Sequence, residues 1–148
     1  MPAVIRLLRP GDAHVLGQVA AGVFDDPIDP AALTRFLRAP HHHLAAAVED
    51  RIVVGFISAL HIEHPDKARP ELWINQIGVA PTHKKRGIGR ALLRAMFAHG
   101  KVLGCDEAWV LTDRSNGAAM ALYASCGCDA PSDHVMITFR LDDCGEGD

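Results

Sequence analysis

The chain has 148 residues, 49% hydrophobic and 22% charged, which suits one folded domain with its own core and excludes a disordered composition. Its formal net charge of −3 excludes a general affinity for nucleic acid, so the basic cluster Lys84, Lys85, Arg86 and Arg90 is a local feature. No apolar run reaches the roughly 18–20 residues of a membrane span. The start, Met1 to Arg6, lacks the pattern of a signal peptide, so a cytoplasmic location is expected.

Val4 to Leu8 has the composition of a first strand. Asp12 is placed to cap a helix reaching about Phe24. Asp25-Asp26-Pro27-Ile28-Asp29-Pro30 is an acidic, turn-rich loop, and a short helix should follow from about Ala31 to Arg38. His43 to Val48 and Ile52 to His61 predict two strands joined as a hairpin at Glu49-Asp50-Arg51. Glu63 to Pro70 is a polar loop, and Leu72 to Val79 a fourth strand.

Arg86 to Leu103 carries the strongest helical signal, because Ile88, Leu92, Met96, His99 and Leu103 share one face. Glu107 to Thr112 should be a strand, Asn116 to Ser125 a helix, and Val135 to Leu141 a last strand that closes the sheet. The expected order is β-α-α-β-β-β-α-β-α-β. It predicts a mixed α/β (α+β) domain over residues 1–141, with an acidic tail at 142–148 expected to fray. None of the cysteines (Cys105, Cys126, Cys128, Cys144) forms a CxxC pair, so reduced thiols are expected. His61-x-x-His64 lies at a strand-to-loop junction without a third ligand, and no metal site is expected.

Two segments carry chemistry. In Val79-Ala-Pro-Thr-His-Lys84-Lys85-Arg86-Gly87-Ile88-Gly89-Arg90 a strand ends, a basic glycine turn follows and a helix opens. Backbone N–H groups, cations and a helix N-terminus then converge on one point, an arrangement suited to phosphate or pyrophosphate. Leu92 stands where a dinucleotide fingerprint needs a small residue, and there is no P-loop. The second segment is Asn116-Gly-Ala-Ala119-Met-Ala-Leu122-Tyr123-Ala-Ser-Cys-Gly127.

Together, in this order, these segments resemble the GNAT superfamily of acetyl-CoA-dependent N-acetyltransferases. The first is similar to its [QR]-x-x-G-x-[GA] turn, with Lys84 in the place usual for Gln or Arg. The second is similar to its N-x-x-A-x-x-L-Y-x-x-x-G motif. The resemblance implies a mostly antiparallel mixed sheet flanked by helices and acetyl-CoA as co-substrate. Ile77, Gly78 and Val79 would then lie beside the pantetheine arm, with the Val79 N–H nearest the thioester oxygen. Lys84, Lys85, Arg86, Gly87, Ile88, Gly89 and Arg90 would hold the pyrophosphate. Asn116 and Ala119 would border the arm, and Tyr123 would protonate the leaving thiolate.

No base is fixed by the resemblance, since Gln76 stands where several relatives carry an acid. Glu71 is the first candidate, and His61, Glu63 and His64 are others. The resemblance also implies that the first helix-loop-helix and the loop before the fourth strand line the acceptor cleft; here these segments hold Asp25, Asp26, Asp29, Glu63, Asp66 and Glu71, which would favour a cationic small-molecule amine, with Gln76 beside it. Phe24-Asp25-Asp26-Pro27 and the short C-terminal region resemble the aminoglycoside 3-N-acetyltransferase branch, which would make the protein an antibiotic-resistance enzyme. A protein N-terminal or lysine acetyltransferase is the alternative, although Leu111 stands where ribosomal-protein alanine acetyltransferases place a glutamate. A non-catalytic acetyl-CoA-binding homologue is a further alternative. The family also makes a homodimer an expectation.

Overall fold

The computed structural model describes residues 2–142. Five strands form one sheet in sequence order: β1 (Val4–Leu7), β2 (His42–Glu49), β3 (Ile52–Ile62), β4 (Glu71–Val79) and β5 (Ala108–Val110). The first four pair antiparallel, and β5 joins β4 in parallel. Three α-helices accompany it: α1 (Pro30–Arg38), α2 (Ile88–Val102) and α3 (Gly117–Ser125). This is the expected mixed α/β domain with a mostly antiparallel sheet.

Alternation along the strands gives the sheet two apolar faces. Ala45, Ala47, Val54, Ile57, Leu72 and Ile74 pack under α2 through Ile88, Leu92, Leu93 and Met96. Leu44, Ala46, Val53 and Phe56 pack on the other side against Leu16, Val23 and Leu37. The β2–β3 hairpin turns at Asp50 (φ 51°) and Arg51 (φ 68°), a two-residue turn with both φ values positive that matches strand twist. Close seating of α2 needs small residues below it. A Cβ on Gly55 would lie 3.1 Å from Ile88 Cγ2 and 3.2 Å from Leu92 Cδ1.

Three sequence expectations change. The helix expected from Asp12 to Phe24 is only a 3-10 turn, Ala13–Gly17. Asp12 gives it no side-chain cap and instead accepts from the Arg9 backbone N–H and from Arg6 Nη2. Beyond the turn the chain runs beside β3, with Val53 N–H donating to Gln18 O and Ala20 N–H to Val53 O. Gly22 (φ 82°) then curls it away from helix. The fifth strand is three residues long rather than Glu107 to Thr112. Residues 135–141 form no strand, and β5 is left as an open edge. The expected fraying tail lies outside the described residues, apart from Asp142.

Among the described residues, no helix is long and apolar enough to cross a membrane. The run His41-His42-His43 leads into β2. His43 is the centre of an imidazole chain. Its Nε2 lies 2.7 Å from His61 Nδ1 on β3, and its Nδ1 lies 3.0 Å from His99 Nε2 on α2. His41 stacks on His61 at 4.5 Å and meets Glu63 at 3.5 Å. Burial first, then the neighbouring histidines, pushes His43 down from 6.5 to about 4, and burial also lowers His61 and His99.

These groups bind fewer protons folded than unfolded, so their contribution to stability is complete above the unfolded value and is lost as pH falls through the folded ones. Denaturant midpoints should therefore hold above about pH 6.5 and decline toward about pH 4. The decline should shrink when His43 is replaced by Gln. An unchanged slope in His43→Gln would contradict this account.

Candidate active site

The site begins with a register fault in β4. Ser58 faces Gln76 and Ala59 faces Ile74, so Asn75 has no partner on β3. This is a β-bulge, which bends its strand and ends regular pairing. Pairing with β5 ends at the same point: Leu72, Trp73 and Ile74 are matched by Ala108, Trp109 and Val110, and nothing follows. The bulge also reverses the direction of the backbone groups. Leu72 N–H points to Glu107 O on the β5 side, whereas Ala80 N–H, eight residues later, points to Val54 O on the β3 side. A regular strand would aim both the same way. Counting back from Ala80, the N–H and C=O of Val79 and Ile77 face the opening between β4 and β5.

Gly78 lies next to this opening. A glycine inside a strand marks a bulge or a close backbone approach. The bulge is three residues earlier, and the close approach is to the chain itself: a Cβ on Gly78 would run into the Val23 carbonyl and come within 2.9 Å of the Phe56 ring. Gly78 therefore lets the 18–29 segment lie against β4.

The parted strands open into a cavity of about 250 Å³. Asn75, Gln76 and Ile77 line it from β4, Val110, Leu111 and Thr112 from β5 and its continuation, and Asn116, Ala119 and Tyr123 from α3. Val23, Asp25 and Phe56 close the remaining side. Asn116 Oδ1 caps α3 by accepting from Ala119 N–H at 3.1 Å, which leaves its NH₂ group free to donate toward the cavity. Tyr123 is half-buried, and burial pushes its phenol pKa upward. It stays protonated at neutral pH and can donate a proton.

The basic turn leads from the end of β4 into α2. Lys85 (φ 62°) and Gly87 (φ 80°) are left-handed and curl the chain. For Lys85 this costs of order 1 kcal/mol; Gly87 adopts it freely. Gly87 is the N-cap of α2 and supplies no side-chain cap. Ala91 N–H makes the first helical bond, to Gly87 O. The N–H groups of Ile88, Gly89 and Arg90 therefore precede the helical ladder and can receive an anion. Lys84, Lys85 and Arg90 are exposed and form no ion pair among the described residues. Arg86 is held by Glu49 at 3.4 Å, which also meets His83 at 3.3 Å. Gly89 serves helix packing as well, since a Cβ there would lie 3.2 Å from Leu122 of α3.

The acidic groups disperse. Among the described residues only Asp25 reaches the cavity, and Asp26 is not in its wall. Asp29 caps α1 through the Ala31 and Ala32 N–H groups. Glu63 meets His41, away from the opening. Glu71, the first candidate base, does not belong to this site. It lines a separate cavity with Lys67, Arg69, Asp106 and Glu107, roughly 16 Å along β4 from Gln76 at strand rise. His64, Trp109 and Lys67 surround its carboxylate and hold its pKa below the usual range. A depressed carboxylate is also a poor base. His61 and His64 are equally remote, in the imidazole chain and beside Glu71 respectively.

Sequence reasoning missed Asn75, Val110 and Thr112 as cavity residues, and Val23 and Phe56 on the closing side. A signal existed for the first: Asn75 and Gln76 are consecutive polar residues in the otherwise apolar run Leu72 to Val79, a phase slip typical of a bulge. The fit at Gly78 has a direct consequence. Gly78→Ala should lower thermal stability by about 2 kcal/mol or more, because backbone rather than a flexible side chain must move. Thermal unfolding checks this, and an unchanged melting temperature would contradict the packing.

Comparison with known proteins agrees with the geometry. Residues 14–128 match the acetyltransferase (GNAT) family. The chain is 39% identical over 131 residues to N-alpha-acetyltransferase RimI of Mycobacterium tuberculosis, covering 85% of this chain and 78% of that protein. It is 39% identical over 124 residues to mycothiol acetyltransferase of Salinispora arenicola, covering 79% of this chain but only 38% of that protein. Among solved structures, an aminoglycoside acetyltransferase from an uncultured soil metagenomic sample, in complex with trehalose, aligns over 94% of this chain and 96% of its own. Its TM-score is 0.82 at 20% identity, a likeness of fold. The parted strands, the uncapped glycine-led helix and the Asn116–Tyr123 helix thus belong to a member of the acetyltransferase (GNAT) family.

Proposed function

We propose that this acetyltransferase moves an acetyl group from acetyl-CoA to a primary amine of a small cationic acceptor by direct attack. The observation that carries the donor half is the open β4 edge leading straight into the uncapped start of α2. The edge can hydrogen-bond an extended amide-bearing arm, and the helix start can hold a pyrophosphate. Lys84, Lys85 and Arg90 add positive charge there, and Arg86 is steadied by Glu49.

Ile77 borders the cavity and Val79 does not. The Ile77 N–H therefore replaces Val79 as the proposed donor to the oxyanion that forms when the amine nitrogen attacks the thioester carbonyl. As the new C–N bond is completed the C–S bond breaks. Tyr123 O–H gives its proton to the departing thiolate sulfur, and the proton that the nitrogen sheds on becoming an amide returns through water to the phenolate. Asn116 NH₂ orients the arm beside it.

Among the described residues, Asp25 is the one carboxylate in the cavity wall. It attracts the ammonium form of the acceptor and orients it, and water at the open mouth takes the ammonium proton before attack. Leu111, also in the wall, supplies no acid. This composition favours a small polyamine, an aminoglycoside among them. A second reading, a peptide α-amine, is favoured by the 39% identity to RimI. CoA release measured across aminoglycosides, polyamines and short peptides separates the two. The proposal expects the highest kcat/KM among polycationic small amines; higher values for peptides would transfer it to the second reading, and no release from any amine would overturn it. Tyr123→Phe should reduce kcat by about 10²-fold or more while acetyl-CoA affinity, measured calorimetrically, stays the same.

A further inference from the structure

Among the described residues, the one buried polar side chain stands opposite the bulge. Ser58 is 3% exposed, between Ile57 and Ala59 in the interior of β3. Ile57 and Ala59 pack under α2, whereas Phe56 packs on the other side of the sheet. Alternation therefore puts Ser58 on the Phe56 side. A hydroxyl buried there is destabilising unless it finds a hydrogen-bond partner. Ser58 donates to Gln76 Oε1, at 3.5 Å. The two are direct cross-strand partners, and the register slips immediately beyond them, past Asn75.

This bond gives Gln76 a direction. With Oε1 turned to Ser58, both amide N–H donors are left for the cavity whose wall Gln76 forms. Accepting at the oxygen also polarises the amide and strengthens those donors. Asp25 belongs to the same wall. It follows Phe24, whose ring stacks on Phe56 at 3.9 Å and anchors the loop over the sheet. The acceptor side therefore presents a carboxylate suited to an ammonium group and an oriented donor suited to an oxygen.

We propose that Ser58 is a positioning residue for acceptor choice: by holding Gln76 Oε1 it fixes Gln76 as a donor to a hydroxyl oxygen beside the reacting nitrogen. The site then selects vicinal amino alcohols over plain alkyl amines. This rests on the small-amine reading above and narrows it. Among polycationic amines, those built from amino-alcohol units, as aminoglycosides are, outrank alkyl polyamines. An amine without that oxygen leaves the Gln76 donors to water, so it is accepted less well. Ser58 touches neither substrate and acts through Gln76.

Selectivity on the full chain tests this, with 1,3-diamino-2-propanol and 1,3-diaminopropane as a pair that differs only in the hydroxyl. Every variant meets the same two amines, so their own basicity cancels from any change in the ratio of their kcat/KM values. That ratio should fall about tenfold in Ser58→Ala, through acceptor KM, with calorimetric acetyl-CoA affinity unchanged. Gln76→Met should lower it as far, and the double variant no further. A second measurement needs no turnover. In protein saturated with CoA, which has no acetyl group to give, the Gln76 side-chain amide signals in ¹⁵N spectra are assigned by their loss in Gln76→Met. They should shift with the hydroxylated diamine and hardly move with the other, and Ser58→Ala should abolish that difference. A ratio that survives Ser58→Ala, a double variant that loses the product of the two single losses, or equal amide shifts from both diamines would overturn the proposal. If neither diamine releases CoA, the small-amine reading fails on its own and the amide shifts decide this one.

Discussion

The structure depends on one unmatched residue. Asn75 has no partner on β3, and this bulge both reverses the facing of the β4 backbone and ends its pairing with β5. A sheet edge in mid-domain normally exposes hydrogen-bonding groups that another strand would fill. Here Ile77 and Val79 keep such groups free beside a cavity, in a strand held rigidly from the other side by β3. Close packing of α2 on Gly55 keeps the helix start next to the end of that strand. The reactive geometry is thus a consequence of register and packing, and few polar side chains are needed to build it.

That economy explains the charge distribution. The basic side chains of the turn stay exposed, and backbone N–H groups of α2 provide the directed donors. Glu49 ties Arg86 and His83 into one place at the hairpin, linking the turn to the β2–β3 loop. At the other end of the sheet, His43 links β3 to α2 through imidazoles held largely neutral by burial. The two ends of α2 are therefore fixed by different chemistry: an open anion-receptive start and a satisfied polar chain near its close.

Legibility from sequence followed locality. The face of α2 was visible because Ile88, Leu92 and Met96 repeat at helical spacing, and Asn116 was visible as a motif residue at the head of a helix, although its capping bond was not. Asp29 was visible only as a loop acid, although its true role is the cap of α1. The helix expected from Asp12 failed because Gln18 and Ala20 bond to Val53, a partner more than thirty residues away. Glu71 was placed at the head of the right strand, but its neighbours His64 and Trp109 come from elsewhere in the chain and turn it into a fixed surface anion. Residues 135–141 do have strand periodicity; what the sequence could not convey is that no edge within the single chain takes them up.

The central claim is that the open backbone of β4 and the start of α2 together receive acetyl-CoA. Amide hydrogen exchange read residue by residue, with and without acetyl-CoA, tests it most directly. The account predicts slowed exchange at Ile77, Val79, Ile88, Gly89 and Arg90, with little change at the β2 and β3 amides already bonded in the sheet. Unchanged exchange at those five amides under saturating acetyl-CoA would contradict it.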